Sequence, residues 1–346
     1  AADMLSKPVF LELGLIDDID STYVNGKFIG TKNNRYLVRR YEIPQGLLKM
    51  GENTIVVRVV DKEGKGGIIA GKQYRLMNDD KEIDLTGDWW YKVGHSMPAM
   101  PVNTFLRLDY LPGIQYYSKL QPIANYTIKG AAWYQGEANT GKPEEYKTLL
   151  PAMIKDWRTL WKQGDFPFLV VQLANYMAPA TEPQDGGWPR LREAQQFVAN
   201  TVPNVGLALA IDIGETNDIH PLNKKDVGHR LALSAIKVAY KDKNAEDPVT
   251  QFDKMSIDGN KIIVSFKNLN KGLQAKNGAL KQFAVAGADQ KFYWAKAIIK
   301  NGKVEVWSDQ VAQPVAVRYA WANNPEGSNL YNLNGLPVAP FRSDNW

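Results

Sequence analysis

The chain has 346 residues, of which 44% are hydrophobic, 23% charged and 11% aromatic, a globular composition with enough material for two or three cores. Its net charge of +5 is spread along the sequence with no Lys/Arg run, so no nucleic-acid footprint is indicated. Cysteine is absent, which excludes disulfides and thiolate metal sites, and no apolar run approaches the ~18 residues of a membrane span.

The opening, Ala1-Ala-Asp-Met-Leu-Ser-Lys7, has neither the basic start nor the apolar centre of a signal peptide. Pro8 to Leu15 already reads as a strand, as if the chain began inside a longer protein. Residues 1–95 are expected to form a β-sandwich. Val24-Asn25-Gly26-Lys27 is a hairpin signal, because Asn-Gly supplies the two positive φ angles of a type I′ turn. Thr54 to Val60 is β-branched and suits a sandwich strand.

Residues 96–246 change texture. Strand 128–134 leads into Gln135-Gly136-Glu137. A helical pattern follows, with Tyr146, Leu149, Leu150, Met153, Ile154, Trp157, Leu160 and Trp161 recurring at three and four; Pro143 fits its first turn. The apolar run 166–173 reads as a strand buried on both faces, 190–200 as a helix, 204–212 as a third strand and 223–241 as a third helix. Alternation of this kind predicts a parallel sheet, here three strands with unpartnered edges. Residues 247–346 return to β texture, with hairpin signals at Asp258-Gly259 and Asn301-Gly302.

Open α/β sheets bind ligands outside the carboxyl ends of their strands. Gln135, Glu137 and Asn139 lie at one such end; Asp218 and His220 follow the end of strand 204–212. Of the three histidines, His229 falls within a helix and His95 in a loop without a carboxylate partner, which leaves His220 as the candidate general base. Asp218 is placed to orient it. A helix-capping loop is the alternative reading of this pair, and aromatic packing that of Trp133. The scattered histidines offer no metal cluster, and no cofactor is expected.

Several strings together carry a resemblance. Trp133-Tyr134-Gln135-Gly136-Glu137-x-Asn139, Asp156-Trp157-Arg158, Arg192-Glu193-Ala194-Gln195, Asp212-Ile213-Gly214-Glu215 and Asp218-Ile219-His220-Pro221-x-Asn223-Lys224 resemble the sialate O-acetylesterase family, a carbohydrate-esterase branch of the SGNH hydrolases. Asp18-x-Asp20 with Arg40-Tyr41 resembles that family's inserted galactose-binding-like sandwich, and Arg318-Tyr319-Ala320-Trp321 its C-terminal β segment. The resemblance implies an α/β fold: a partial SGNH, flavodoxin-like three-layer parallel sheet flanked by the two β parts. It implies serine-esterase chemistry on an acetylated carbohydrate, with O-acetyl sialic acid as the expected partner and acetyl-xylan as the alternative sugar. His220 would be the base, with Asp218 as its acid; the commoner Asp-x-x-His spacing falls on Asn217, and Asp212 and Glu215 stand as alternatives. Gln135 would serve the oxyanion hole and Glu137 would brace it. Arg192, Trp133 and Asn139 would meet the sugar, with a structural ion pair as the other reading of Arg192. The family's Gly-Gln-Ser-Asn nucleophile block is absent, and Ser96, after Gly94-His95, lacks the strand–turn–helix setting of a nucleophile elbow. The expectation is therefore the C-terminal portion of a longer periplasmic or extracellular bacterial enzyme, inactive without an N-terminal part that carries the serine. A non-catalytic carbohydrate-binding module is the competing function.

Overall fold

A computed structural model describes residues 2–62, 66–96, 111–216, 218–269 and 271–346. The chain divides into two compact units, Ala1–Arg107 and Leu108–Trp346.

The first unit is all antiparallel β. Its strands are β1 (Val9–Leu13), β2 (Ile16–Asp17), β3 (Ile19–Val24), β4 (Lys27–Lys32), β5 (Arg40–Ile43), β6 (Ile55–Val60), β7 (Gly67–Ile68), β8 (Tyr74–Met77) and β9 (Glu82–Asp84). They form sheets ordered β5-β1-β8-β9 and β4-β3-β6, with β2 and β7 as a separate pair. Alternation decides which side faces in: β3 buries every second residue, and Leu11, Leu13, Ile16, Val24 and Leu76 from both sheets share one core. The β3–β4 hairpin turns at Asn25 (φ 48°) and Gly26 (φ 80°), the positive pair that Asn-Gly supplies. Asp20 and Arg39 are among the charges buried in this unit. Asp20 is held by Arg39 Nε at 2.9 Å and by the hydroxyls of Tyr41 and Thr22, each at 2.7 Å, so the desolvated carboxylate is fully paired.

The second unit contains the parallel sheet. Strands β10 (Ala131–Trp133), β11 (Phe168–Val171) and β12 (Val205–Ala208) lie in that order and are joined by helices α1 (Pro143–Trp161) and α2 (Gly187–Thr201); α3 (Lys224–Val238) follows. The strands are shorter than their apolar runs, because the flanking residues stay buried after leaving the ladder. Helix α1 buries Tyr146, Leu150, Ile154, Arg158 and Trp161 on one stripe, while Leu149, on the expected apolar pattern, is 51% exposed. Pro143 opens the helix, Glu144 and Glu145 favour its positive end, and Lys162 closes it in the left-handed region. Helices α1 and α2 share a core with Phe168, Val170, Val205 and Leu207, whereas Val227 of α3 packs with Val171 and Ala210. Gly206 permits the approach of α3, since a Cβ there would lie 2.2 Å from Ser234 Oγ. The buried Arg158 donates to the carbonyls of Phe166 and Pro203 and so ties together the starts of β11 and β12.

The C-terminal β part comprises β13 (Gln251–Asp258), β14 (Lys261–Lys267), β15 (Leu273–Ala275), β16 (Phe283–Ala286), β17 (Phe292–Trp294), β18 (Lys296–Lys300), β19 (Lys303–Trp307), β20 (Ala316–Tyr319), β21 (Leu330–Asn332) and β22 (Phe341–Arg342). Its sheets run β13-β14-β19-β18 and β17-β16-β20-β22, with β15 paired to β21. The β18–β19 turn uses Asn301 and Gly302, as expected. The β13–β14 turn uses Gly259 and Asn260, one residue beyond Asp258-Gly259, since Asp258 pairs with Lys261. This part was expected as a separate segment after 246, yet it belongs to the same compact unit as the parallel sheet. Arg342 forks onto Glu193 of α2 at 2.8 and 3.0 Å, and Ala339 enters the core of the α/β part. No helix among the described residues is long and apolar enough to cross a membrane.

Candidate active site

The end of β10 is set by packing below it. Trp133 lies in an aromatic cluster with Trp157 and Phe168, at ring distances of 5.9 and 6.5 Å, and its indole N–H donates to the Tyr146 hydroxyl at 3.1 Å. That half-buried setting makes it a support for the strand end rather than an open sugar platform. The Tyr146 hydroxyl in turn donates to Gln135 Oε1 at 3.0 Å. Gln135 Nε2 donates to Asn139 Oδ1 at 2.9 Å, and its second hydrogen has no acceptor among the described residues. With its oxygen engaged from below, the amide presents an N–H outward, the requirement for a preorganised oxyanion donor.

Gly136 has φ +154°, and a Cβ there would lie 2.6 Å from Leu191 Cδ2 and 3.1 Å from Gln195 Nε2. Only glycine lets the chain turn so close to α2. Fully buried Gln195 ties the turn to the end of β11, donating to the Gln135 carbonyl at 3.0 Å and accepting from Leu173 N at 2.9 Å. Glu137 accepts from Gly136 N at 2.9 Å and opens a short 3₁₀ turn, Glu137–Asn139, which brings Asn139 back to Gln135.

Beyond β12 the chain passes Asp212 and reaches the second cluster. Asp212 is committed: Arg230 clasps it at 2.6 and 2.8 Å, and the Tyr331 hydroxyl donates to it at 2.8 Å. Glu215 accepts from Leu222 N at 2.8 Å. Asp218 is 3% exposed and accepts the backbone N–H of His220 at 2.8 Å, which fixes the loop at the candidate base. Ile219 packs into the core between them and leaves His220 exposed. Asn217, the alternative acid position, lies outside the described residues. Asn223 then caps α3 by accepting from Asp226 N.

Lys224, the first residue of α3, links the two clusters. Its ammonium lies 5.2 Å from the centre of the Tyr134 ring. Partial desolvation holds its pKa below the ordinary value, while Asp218, Glu137 and Glu215 act in the opposite sense. Glu137 from the β10 loop and Asp218 from the β12 loop therefore lie in the field of one cation, at the same end of the parallel sheet. Burial, assisted by Glu137, pushes the Tyr134 hydroxyl up to about 12, so it stays protonated.

Arg192 has a different place from the one expected of a sugar contact. It is 1% exposed, and its guanidinium donates to the carbonyls of Leu173, Ala174, Ala322 and Asn323 at 2.7–2.9 Å. It is closed to solvent and makes no ion pair among the described residues; it fastens the loop after β11 to the C-terminal β part. Burial pushes it down to about 9, which leaves it charged at neutral pH. Three supporting residues, Tyr146, Gln195 and Lys224, had no expected role. Gln195 was the most visible of them, because it is a polar residue on the buried stripe of α2 that includes Trp188, Leu191, Ala194 and Val198.

Residues 112–237 match the family model described as carbohydrate esterase, sialic acid-specific acetylesterase. The sialate O-acetylesterases of Homo sapiens and Mus musculus are each 28% identical over 256 residues, covering 66% of this chain and 48% and 46% of their own lengths. The crystal structure of XAC1771, a carbohydrate acetylesterase from Xanthomonas citri, aligns with a TM-score of 0.60 at 44% identity, over 65% of this chain and 52% of that one. The chain spans about half the length of the curated relatives it matches. The matched segment runs from ahead of β10 to the last turn of α3 and so includes both clusters. By residues 112–237 of its α/β part, the chain is similar to the sialic acid-specific acetylesterase family of carbohydrate esterases.

Proposed function

We propose that the chain supplies the base and the oxyanion donor of a carbohydrate O-acetylesterase, with O-acetylated sialic acid as the substrate. What supports this reading is the parallel register of β10, β11 and β12, whose carboxyl ends lead into the Gln135–Glu137 loop and the Asp218–His220 loop, with Lys224 at the start of α3 lying 5.2 Å from the ring of Tyr134 at the end of β10. Acetyl transfer to a serine needs a group to take the hydroxyl proton and a fixed N–H facing the new oxyanion. His220 takes the proton and later returns it to the leaving sugar oxygen, Asp218 holds the loop that carries it, and Gln135 Nε2 donates to the oxyanion. Asn139 keeps the amide in register. The nucleophile comes from outside these 346 residues: the Gly-Gln-Ser-Asn block is absent, and Ser96 sits in an exposed extended stretch of the other compact unit. A glycan substrate fits a periplasmic or extracellular place of action.

The test is hydrolysis of an aryl acetate and of O-acetylated N-acetylneuraminic acid. The 346-residue chain alone is expected to stay at background. Joined to a segment carrying the serine block, it is expected to turn over both esters, and His220→Ala to abolish that activity. Turnover by the chain alone that is lost in His220→Ala would refute the division of the site.

A further inference from the structure

A second concavity lies beside the candidate base. A cavity of about 290 Å³ opens between the loops that leave β11 and β12 and segment 325–331 of the C-terminal β part. Asp212, Thr216, Glu326, Ser328 and Tyr331 supply side-chain oxygens to its wall. One side of it, 212–216, continues directly into Asp218 and His220, so cavity and base share a single loop.

The wall is rigid and rich in acceptors. Asp212 is held from behind by Arg230 and from the side by Tyr331. Thr216 Oγ1 accepts from the fully buried Asn324 at 3.3 Å, and its own hydrogen has no acceptor among the described residues. Asn324 is fixed in turn by the Met177 carbonyl and by Asn175. Glu326 is exposed; its backbone carbonyl accepts from Gln282 Nε2 at 2.7 Å, while its carboxylate makes no hydrogen bond or ion pair among the described residues. With Asp212 neutralised by Arg230, Glu326 leaves the wall with one net negative charge. A ligand suited to it brings several O–H donors and no anionic group. It also brings a hydroxyl or ring oxygen to accept from Thr216. A neutral pyranose has that chemistry; a sugar acid does not.

We infer that this cavity is a subsite for a neutral sugar residue adjoining the acetylated one, so that the acetylated sugar is held more tightly on a glycan than as a free monosaccharide. The inference rests on the carbohydrate-esterase reading for the identity of its ligand, but its test needs no turnover.

Titration calorimetry of the 346-residue chain with the neutral disaccharide lactose, and separately with N-acetylneuraminic acid, decides it. Lactose is expected to bind saturably. Glu326→Gln and Thr216→Val are each expected to weaken it by about tenfold, the scale of one hydrogen bond lost to a charged or buried group. N-acetylneuraminic acid is expected to bind at least tenfold more weakly than lactose. Absence of saturable lactose binding, unchanged affinity in either variant, or tighter binding of the sugar acid would each overturn the subsite. Glu326 is exposed, so Glu326→Gln carries the test alone if Thr216→Val fails to fold. Lactose binding without esterase activity in the serine-completed protein would refute the proposed function and leave the subsite; the reverse outcome would do the opposite.

Discussion

Replacing Arg192 by methionine separates a structural clamp from a substrate contact. The guanidinium serves four backbone carbonyls, on Leu173, Ala174, Ala322 and Asn323. Methionine fills much of the volume and donates nothing, so four buried acceptors lose their partners. Each orphaned acceptor costs about 1–3 kcal/mol, for a gross loss near ~8 kcal/mol. Against this stands the desolvation of the cation, which pushes it well below the ordinary guanidinium range, to about 9. At about 1.4 kcal/mol per pH unit, that is on the order of 5 kcal/mol which methionine does not incur. The difference predicts a net loss of ~3 kcal/mol, a large effect for one substitution. The assay is urea unfolding, following the transition of the unit that holds the parallel sheet, with hydrogen exchange of peptides around 173–176 and 322–324 as a local readout. Arg192→Met is expected to lower the midpoint and speed exchange in both peptides together. A loss below ~1 kcal/mol with unchanged exchange would refute the clamp and return Arg192 to the substrate.

Two further outcomes follow from the same geometry. Gly136→Ala sets a Cβ 2.6 Å from Leu191 Cδ2 in a conformation that L residues rarely adopt, and is expected to cost about 1–3 kcal/mol, read as a lower melting temperature. A fully native melting curve would show that α2 yields freely there. Asp185 accepts from Gly186 N, Arg190 and the Trp321 indole; burial raises its pKa, but these bonds outweigh it and leave the carboxyl below its ordinary value. Its stabilising contribution is thus fully present above the unfolded carboxyl's ~3.9 and lost as pH falls through the lower folded value. Trp321 fluorescence is expected to change over that acid window in the native chain and not in Asp185→Asn; identical curves would remove Asp185 from the account.

What could be read ahead in the sequence was whatever depends on near neighbours. Asn25-Gly26 and Asn301-Gly302 turn where local backbone freedom dictates, and the stripe from Tyr146 to Trp161 forms the expected helix. The two polar clusters followed from strand ends alone, because the parallel crossover rule puts such ends on one side. Distant partners were hidden. Asp212 looked like a possible acid for His220 until Tyr331, 119 residues on, was found to hold it. Arg192 looked free for a sugar because its acceptors at Ala322 and Asn323 lie 130 and 131 residues away. The contact between the segment after 246 and the α/β part was hidden for the same reason, since Arg342 reaches back 149 residues to Glu193.

That reach has a consequence for biosynthesis. The parallel sheet and its three helices leave the ribosome well before residues 322–342, and contacts of such long sequence separation form late. Until the C-terminal strands emerge, half of the Arg192 fork has no acceptor and Glu193 lacks Arg342. The loop after β11 then has only its own side of the clamp. A nascent chain stalled before residue 322 would hold the loops of Gln135 and His220 on an unfastened frame until the last strands are laid down.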